Sequence, residues 1–246
     1  MKTSFVVICL ALACIKGLAQ DQAIEKILAD AQTWREGNVL LNDGTQLSGS
    51  LRMDYNSGII SFRRGEVNKT LAARTVSRFE FFDGQSGKRS FVSFEYEDKK
   101  SSRQFYFFEV LKEFESFAVL SKTDPVKALV KTENKGSFFV PGWDYYSRGT
   151  VYKNIEFYLT ETICFMDTTG NIKPYLRIVD IEKRSLLGNT RQSINRFIAK
   201  KLLARHTRDR YSELAEYTGK NGLNLKLKND LLTFLDLYSE PALEDR

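Results

Sequence analysis

Histidine and cysteine, the residues that most often carry acid–base, nucleophilic and metal chemistry, are nearly missing from this chain of 246 residues. The one histidine, His206 in "LARHTRDR", is crowded by Arg205, Arg208 and Arg210. Catalytic histidines work against a nucleophile and an orienting acid; this one reads as a surface residue at a basic helix end. Of three cysteines, Cys9 and Cys14 fall in an N-terminal apolar run, which leaves Cys164 alone and without an internal disulfide partner. Between Ile163 and Phe165 it reads as an apolar filler on a strand, since a reactive thiol needs an electropositive, partly exposed setting. A metal site would then need carboxylates, and Asp167, Asp180 and Glu182 do not stand at ligand spacing. No metal, no cofactor and no catalytic residue is assigned. A G-x-S-x-G elbow is also missing, and "GQSGK" at 84–88 is out of register for a phosphate-binding loop. A carboxylate pair of the hydrolytic kind, whose members can come from anywhere in a fold, keeps an enzyme as the competing class.

Long apolar runs are scarce too. The longest N-terminal one, Phe5 to Ile15, falls short of the roughly 20 residues a membrane-spanning helix needs. It follows Lys2 and precedes Gly17 and Ala19, the small residues a signal peptidase requires. Residues 1–19 are therefore expected to be a secretory signal cut after Ala19, leaving a mature chain with no transmembrane segment. "ALAC" offers a rival, lipid anchoring at Cys14, but Ala11 stands where a lipobox wants leucine.

What the chain does have is aromatic weight: 18 Phe and 11 Tyr against 4 Pro and 3 Met. Aromatic and β-branched enrichment with period-two alternation is a strand signal, and it recurs from Asn38 to about Tyr175. Asp43-Gly44 and Asp83-Gly84 divide alternating segments in the manner of hairpin turns, and "ICFMDTTGNI" repeats the device. In "QFYFFEVL", Phe105 and Phe107 point one way while Tyr106, Phe108 and Val110 point the other, so this strand is expected to be covered on both faces. After Pro174 the pattern changes: Ile194, Phe197, Ile198 and Leu202 stand at helical spacing. Tyr211, Leu214 and Ala215 repeat it, with Gly219 as a stop. "LNLKLKND" reads as briefly extended, leading to a last helix capped by Asn229 or Asp230 and carrying Leu231, Phe234, Leu235 and Tyr238. Strands followed by helices make an α+β order. The expected layout is an antiparallel, stacked or sandwich-like β-rich part over residues 20–180 and a small helical region over 181–246.

The segments "DGTQLSGSL", "ISFRR", "LAARTVSRFEF", "FYFFEVL", "FAVLSK" and "NLKLKNDLLTFLDLY" resemble a broad group of exported, uncharacterised proteins of the Bacteroidota. The resemblance implies a periplasmic or cell-surface location and carries no activity and no site residues with it. The "VLLNDGTQLSGSL" hairpin is also similar to the first strands of Sm-like small barrels, but the second Sm motif is missing and no nucleic-acid partner is expected.

Two stretches are candidate binding surfaces. In "GSFFVPGWDYYSRGTVYK", Trp143, Tyr145 and Tyr146 follow a Pro-Gly turn and could stack on sugar rings or anchor a partner, or simply cover the open end of the sheet. From Glu182 to Arg210 there are nine Lys or Arg against two acids. Arg196, Lys200, Lys201 and Arg205 in this stretch are candidates for an anionic surface. Lys201 and Arg205 nevertheless fall beside the apolar positions of the expected helix, which also suits a solvated element with snorkelling side chains. The sequence thus points to an exported, non-catalytic envelope protein that acts by binding or as a structural component. Its expected partner is an envelope protein, a glycan or an anionic surface.

Overall fold

A computed structural model describes residues 32–55, 57–84, 87–97, 103–124, 127–134, 151–185 and 188–239. Strands β1 (Arg35–Leu41), β2 (Gln46–Asp54), β3 (Ile59–Arg64), β4 (Val67–Ala72) and β5 (Val76–Asp83) open the fold. Strands β6 (Gly87–Tyr96), β7 (Gln104–Glu113), β8 (Phe117–Thr123) and β9 (Lys127–Asn134) follow. Strands β10 (Val151–Asp167), β11 (Ile172–Ser185) and β12 (Gly188–Phe197) come next. Helices α1 (Lys201–His206), α2 (Tyr211–Lys220) and α3 (Lys228–Ser239) come last. The twelve strands join one antiparallel sheet in the order β12-β11-β10-β8-β7-β6-β5-β1-β2-β3-β4, with β9 beside β10. The class is α+β and β-rich. Among the described residues no helix is long and apolar enough to cross a membrane.

The first five strands form a curled unit because β5 returns to pair with β1. At the β1–β2 turn, the Asp43 carboxylate accepts the Thr45 N–H at 2.9 Å and Gly44 takes φ +84°. Gly37 and Gly49 face each other across β1 and β2. A Cβ on Gly37 would strike the Glu80 carbonyl, and one on Gly49 would lie 2.6 Å from the Arg63 carbonyl. These two glycines admit the tight curvature. A short 3-10 turn, Ala73–Thr75, then packs against β6 and β7, where the Ser93 hydroxyl donates to the Ala73 carbonyl at 2.6 Å.

Inside this unit the alternate residues of each strand meet. Phe79 stacks on Phe91 with centroids 4.5 Å apart and meets Phe107 edge-on at 5.0 Å, with Val39, Leu51, Ile60 and Phe62 around them. Each such side chain contributes roughly 1.5–3 kcal/mol on burial. At the edge of this core sits Arg89, whose guanidinium bonds Glu109 through two nitrogens at 2.7 and 2.9 Å and the Tyr55 hydroxyl at 3.0 Å.

Strand β7 is covered on both faces, as its sequence predicts: Phe107 belongs to this first core, while Phe108 packs with Leu120 and Cys164 on the other face. Cys164 is fully buried there. Strands β8 and β9 line up one after the other along β10. β8 pairs Glu161–Asp167 of β10 and β9 pairs Val151–Tyr158.

The helices cover one face of β8, β10 and β11. Leu231, Phe234 and Leu235 of α3, at spacings of three and four, join Leu202, Leu203 and Leu214 against Phe117, Ile163, Phe165 and Leu176. Arg210 fixes the far end of α3 by donating to the Leu237 and Tyr238 carbonyls at 3.2 and 3.0 Å.

Three expectations need correction. Residues 188–197 form a strand with ten register pairs to β11, so helix begins at Lys201 and not at 181. The apparent helical spacing of Ile194, Phe197 and Ile198 was carried by a stretch rich in Asn, Thr and Ser, which favour a helix weakly, next to the β-branched strand β11. "LNLKLKND" turns instead of extending: Leu227 N–H bonds the Asn224 carbonyl at 2.7 Å, and the Asp230 carboxylate accepts the Asn224 N–H at 2.8 Å. Helix α2 runs through Gly219 and stops at Gly222, whose φ is +64°, with the Leu223 N–H returning to the Thr218 carbonyl at 3.0 Å.

Candidate functional site

The aromatic loop with Trp143, Tyr145 and Tyr146 lies outside the described residues. The basic set is split by the sheet. Phe197 turns into the helix-side cluster, so Arg196, its neighbour on the strand, points to the opposite face. Lys200, Lys201 and Arg205 are exposed on the helical side of the sheet, with Leu202 and Leu203 buried beneath them.

His206 is half-buried, not a freely exposed surface residue. Its ring stacks on Phe165 at 5.1 Å and 9°, and lies 5.0 Å from Phe117. This burial lowers its pKa, with Asp167 opposing the shift and Arg205 and Lys173 adding to it. Asp167 itself is a turn former: its carboxylate accepts the Thr169 and Asn171 N–H groups at 3.0 Å each, and hydrogen bonds to these two residues hold it below the usual range.

The sheet does bring carboxylates onto one face. Glu161, Asp180 and Glu182 all project to the helix side of β10 and β11. Each is engaged. Glu161 accepts from the Ser121 hydroxyl at 2.5 Å and pairs with Lys228, and Glu182 lies 3.5 Å from Arg191. Burial raises the Asp180 carboxyl, the Ser193 hydroxyl lowers it, and nearby Glu161 raises it further. Among the described residues no cluster of three or more His, Cys, Asp or Glu is placed to hold a metal ion.

A concavity among the described residues lies elsewhere, where the β2–β3 turn and residues 72–74 meet the ends of β7 and β8. This cleft has a volume of about 470 Å³. Its floor is Met53, Tyr55 and Phe107, all buried. One wall is the β2–β3 turn with Ser57 and Gly58, stiffened by the Ser57 hydroxyl donating to the Asp54 carboxylate at 2.7 Å. A second wall is Ala72 to Arg74, where the Asn42 amide donates to the Arg74 carbonyl at 2.8 Å and the Thr75 hydroxyl to the Ala72 carbonyl at 2.9 Å. The third wall carries Gln104, Phe105 and Tyr106, with Phe105 43% exposed although aromatic. Behind it, the Lys122 ammonium sits 4.3 Å from the Tyr106 ring and pairs with Asp124 at the cleft's rim.

Exposed Phe105 thus shares the lining of this space with Arg74, Gln104 and Asp124, the Gln104 amide donating to the Tyr106 hydroxyl and Asp124 pairing with Lys122. A ligand with an apolar ring face and hydroxyl or amide groups at its edge would satisfy both kinds of lining. A second groove of about 310 Å³ runs across Asn38, Ser48, Arg78 and Glu80. The Ser48 hydroxyl donates to the Asn38 side-chain amide oxygen at 2.7 Å, and Lys88 holds Glu80 at 2.7 Å.

Sequence reasoning does not reach this cleft, because its lining comes from four separated segments and none carries a local motif. The one usable signal is Phe105, an aromatic residue at the solvent end of a two-faced strand. Compared with family models, with curated proteins and with solved structures, the chain matches none.

Proposed function

We propose that this is an exported, non-catalytic binding protein of the cell envelope, processed after Ala19 and taking a small ring-bearing ligand of the sugar class into the cleft. The observation that carries this reading is the cleft itself. Its volume falls in the roughly 300–1,000 Å³ range of ligand sites, and it sets exposed Phe105 beside Gln104, Arg74 and Asp124. Aromatic faces accept the C–H face of a sugar ring, and planar amide, guanidinium and carboxylate groups bond its hydroxyls. Stacking of the curled unit over β7, the sandwich-like arrangement expected from the sequence, belongs to the same reading: the space left between those layers is the cleft. The basic side chains Lys200, Lys201 and Arg205 would face outward for a partner or an anionic surface.

The test uses the mature chain, whose N-terminus should be Gln20 when recovered from outside the cytoplasm. Saturation-transfer NMR with soluble peptidoglycan fragments and a polysaccharide panel should show binding. Phe105→Ala should weaken it by tenfold or more at an unchanged melting temperature, because Phe105 already stands in solvent. Absence of binding across the panel at millimolar ligand would overturn the proposal. Binding that survives Phe105→Ala but is lost on combined Trp143→Ala, Tyr145→Ala and Tyr146→Ala would move the site to the aromatic loop.

A further inference from the structure

Among the described residues, strand β12 is an open edge of the sheet. It pairs only with β11 in the described sheet, and Thr190, Arg191, Gln192, Ser193, Ile194 and Arg196 are all exposed. An edge strand offers the outward N–H and C=O groups of alternate residues to any extended chain. Natural edges are usually blunted by shortness, proline, bulges or charge. The opposite edge, β4, is six residues long, carries Lys69 and runs straight into the 3-10 turn. By contrast, β12 is ten residues long, keeps its register to β11 without a shift and contains no proline.

Its charge pattern selects the partner. Between Gly188 and Phe197 there are two arginines and no acid, and Lys200, Lys201 and Arg205 follow directly. Arg191 lies 3.5 Å from Glu182, which occupies it on the helix side. Arg196 is different. It stands directly across from Arg177 on the face turned away from the helices, both are exposed, and among the described residues neither side chain makes an ion pair or hydrogen bond. Like charges directly opposite are destabilising in a sheet, and an acid placed beside them reverses the sign. Ile194, on the same face two residues away, is 46% exposed, and Ile198 just past the strand is 43% exposed. A second copy of this chain fits poorly, because its β12 would bring only the same arginines.

The geometry points to β12 as a docking edge for an extended acidic segment of another protein, added to the sheet as a thirteenth strand. Its Asp or Glu sits beside Arg196 and Arg177, and an apolar residue two positions away covers Ile194. Backbone hydrogen bonds supply the affinity and the alternate side chains the choice of partner. This inference is independent of the cleft.

The experiment measures fluorescence anisotropy of short labelled peptides on the mature protein. One peptide alternates threonine with valine and glutamate, a second replaces glutamate by lysine, and a third is the glutamate peptide N-methylated at alternate amides. The glutamate peptide should bind about tenfold or more tighter than the lysine peptide, as charge complementarity across an interface requires. N-methylation should abolish its binding. Arg196→Glu, an exposed change that leaves the circular dichroism spectrum intact, should reverse the preference. Equal binding of both charges, or binding indifferent to N-methylation, overturns strand addition. So does a concentration-dependent dimer that occupies the edge, or sedimentation with anionic vesicles by a protein that ignores every peptide.

Discussion

Removing the Arg89 side chain as Arg89→Met should unfold more stability than any surface change in this protein. The guanidinium is about 10% exposed, holds Glu109 through two bonds and lies 3.9 Å from Asp83, which is as deeply buried. It also sits 5.4 and 5.2 Å from the Phe81 and Phe91 rings. Methionine replaces the stem and its contacts with the rings but removes the guanidinium that Glu109 and Asp83 face. Breaking a buried pair from one side costs about 3–5 kcal/mol, and a domain of this size loses roughly 2–4 °C per kcal/mol. The melting temperature should therefore fall by on the order of 10 °C. The decisive arm is a double-mutant cycle with Glu109→Gln, read by urea unfolding. If unpaired charge causes the loss, the double variant recovers about 1–3 kcal/mol against the sum of the singles. Additivity within about 0.5 kcal/mol would refute the reasoning and reassign the cost to packing on the two rings.

Three further outcomes follow from the same structure. His206 is held below its ordinary value by burial between Phe117 and Phe165, so the unfolded chain takes up the proton first as pH falls through about 6.5. Stability should drop from that pH downward until the folded state also protonates; His206→Phe should flatten that drop in urea midpoints measured between pH 7.5 and 5, and parallel curves would contradict it. Gly37→Ala drives a methyl into the Glu80 carbonyl and should cost about 1–3 kcal/mol. Gly219→Ala, which meets nothing inside α2, should stabilise by about 0.4–1 kcal/mol; a calorimetric ranking in the reverse order would count against both assignments.

The sheet was legible wherever one face of a strand is buried and a turn residue ends it. Asp43-Gly44 and "QFYFFEVL" both state their geometry locally. Strand β12 was not, because with most of its side chains in solvent no alternation of burial marks it, and three apolar residues over so short a stretch fit two periods. His206 was misread for a related reason. Its neighbours in sequence are arginines, but its neighbours in space are Phe117 and Phe165, contributed by strands 40 residues or more away. The cleft was invisible for the same reason at larger scale: Tyr55, Arg74, Phe105 and Asp124 come from four separated segments and meet only in the folded chain.

Strand β10, 17 residues long, is two strands in energetic terms. Its C-terminal part lies between β8 and β11 with Ile163 and Phe165 under the helices, while Val151–Tyr158 pairs with β9, is joined by β11 only from Ile155 onward, and among the described side chains Ile155–Tyr158 stand outside that cluster. Amide hydrogen exchange should therefore divide within a single strand. Protection near the global unfolding limit is expected around Ile163, with faster sub-global opening toward Val151. Because β11 and β12 run alongside both parts, a chain bound at the outer edge would be felt as slowed exchange far from the contact, in the half of the sheet that opens first.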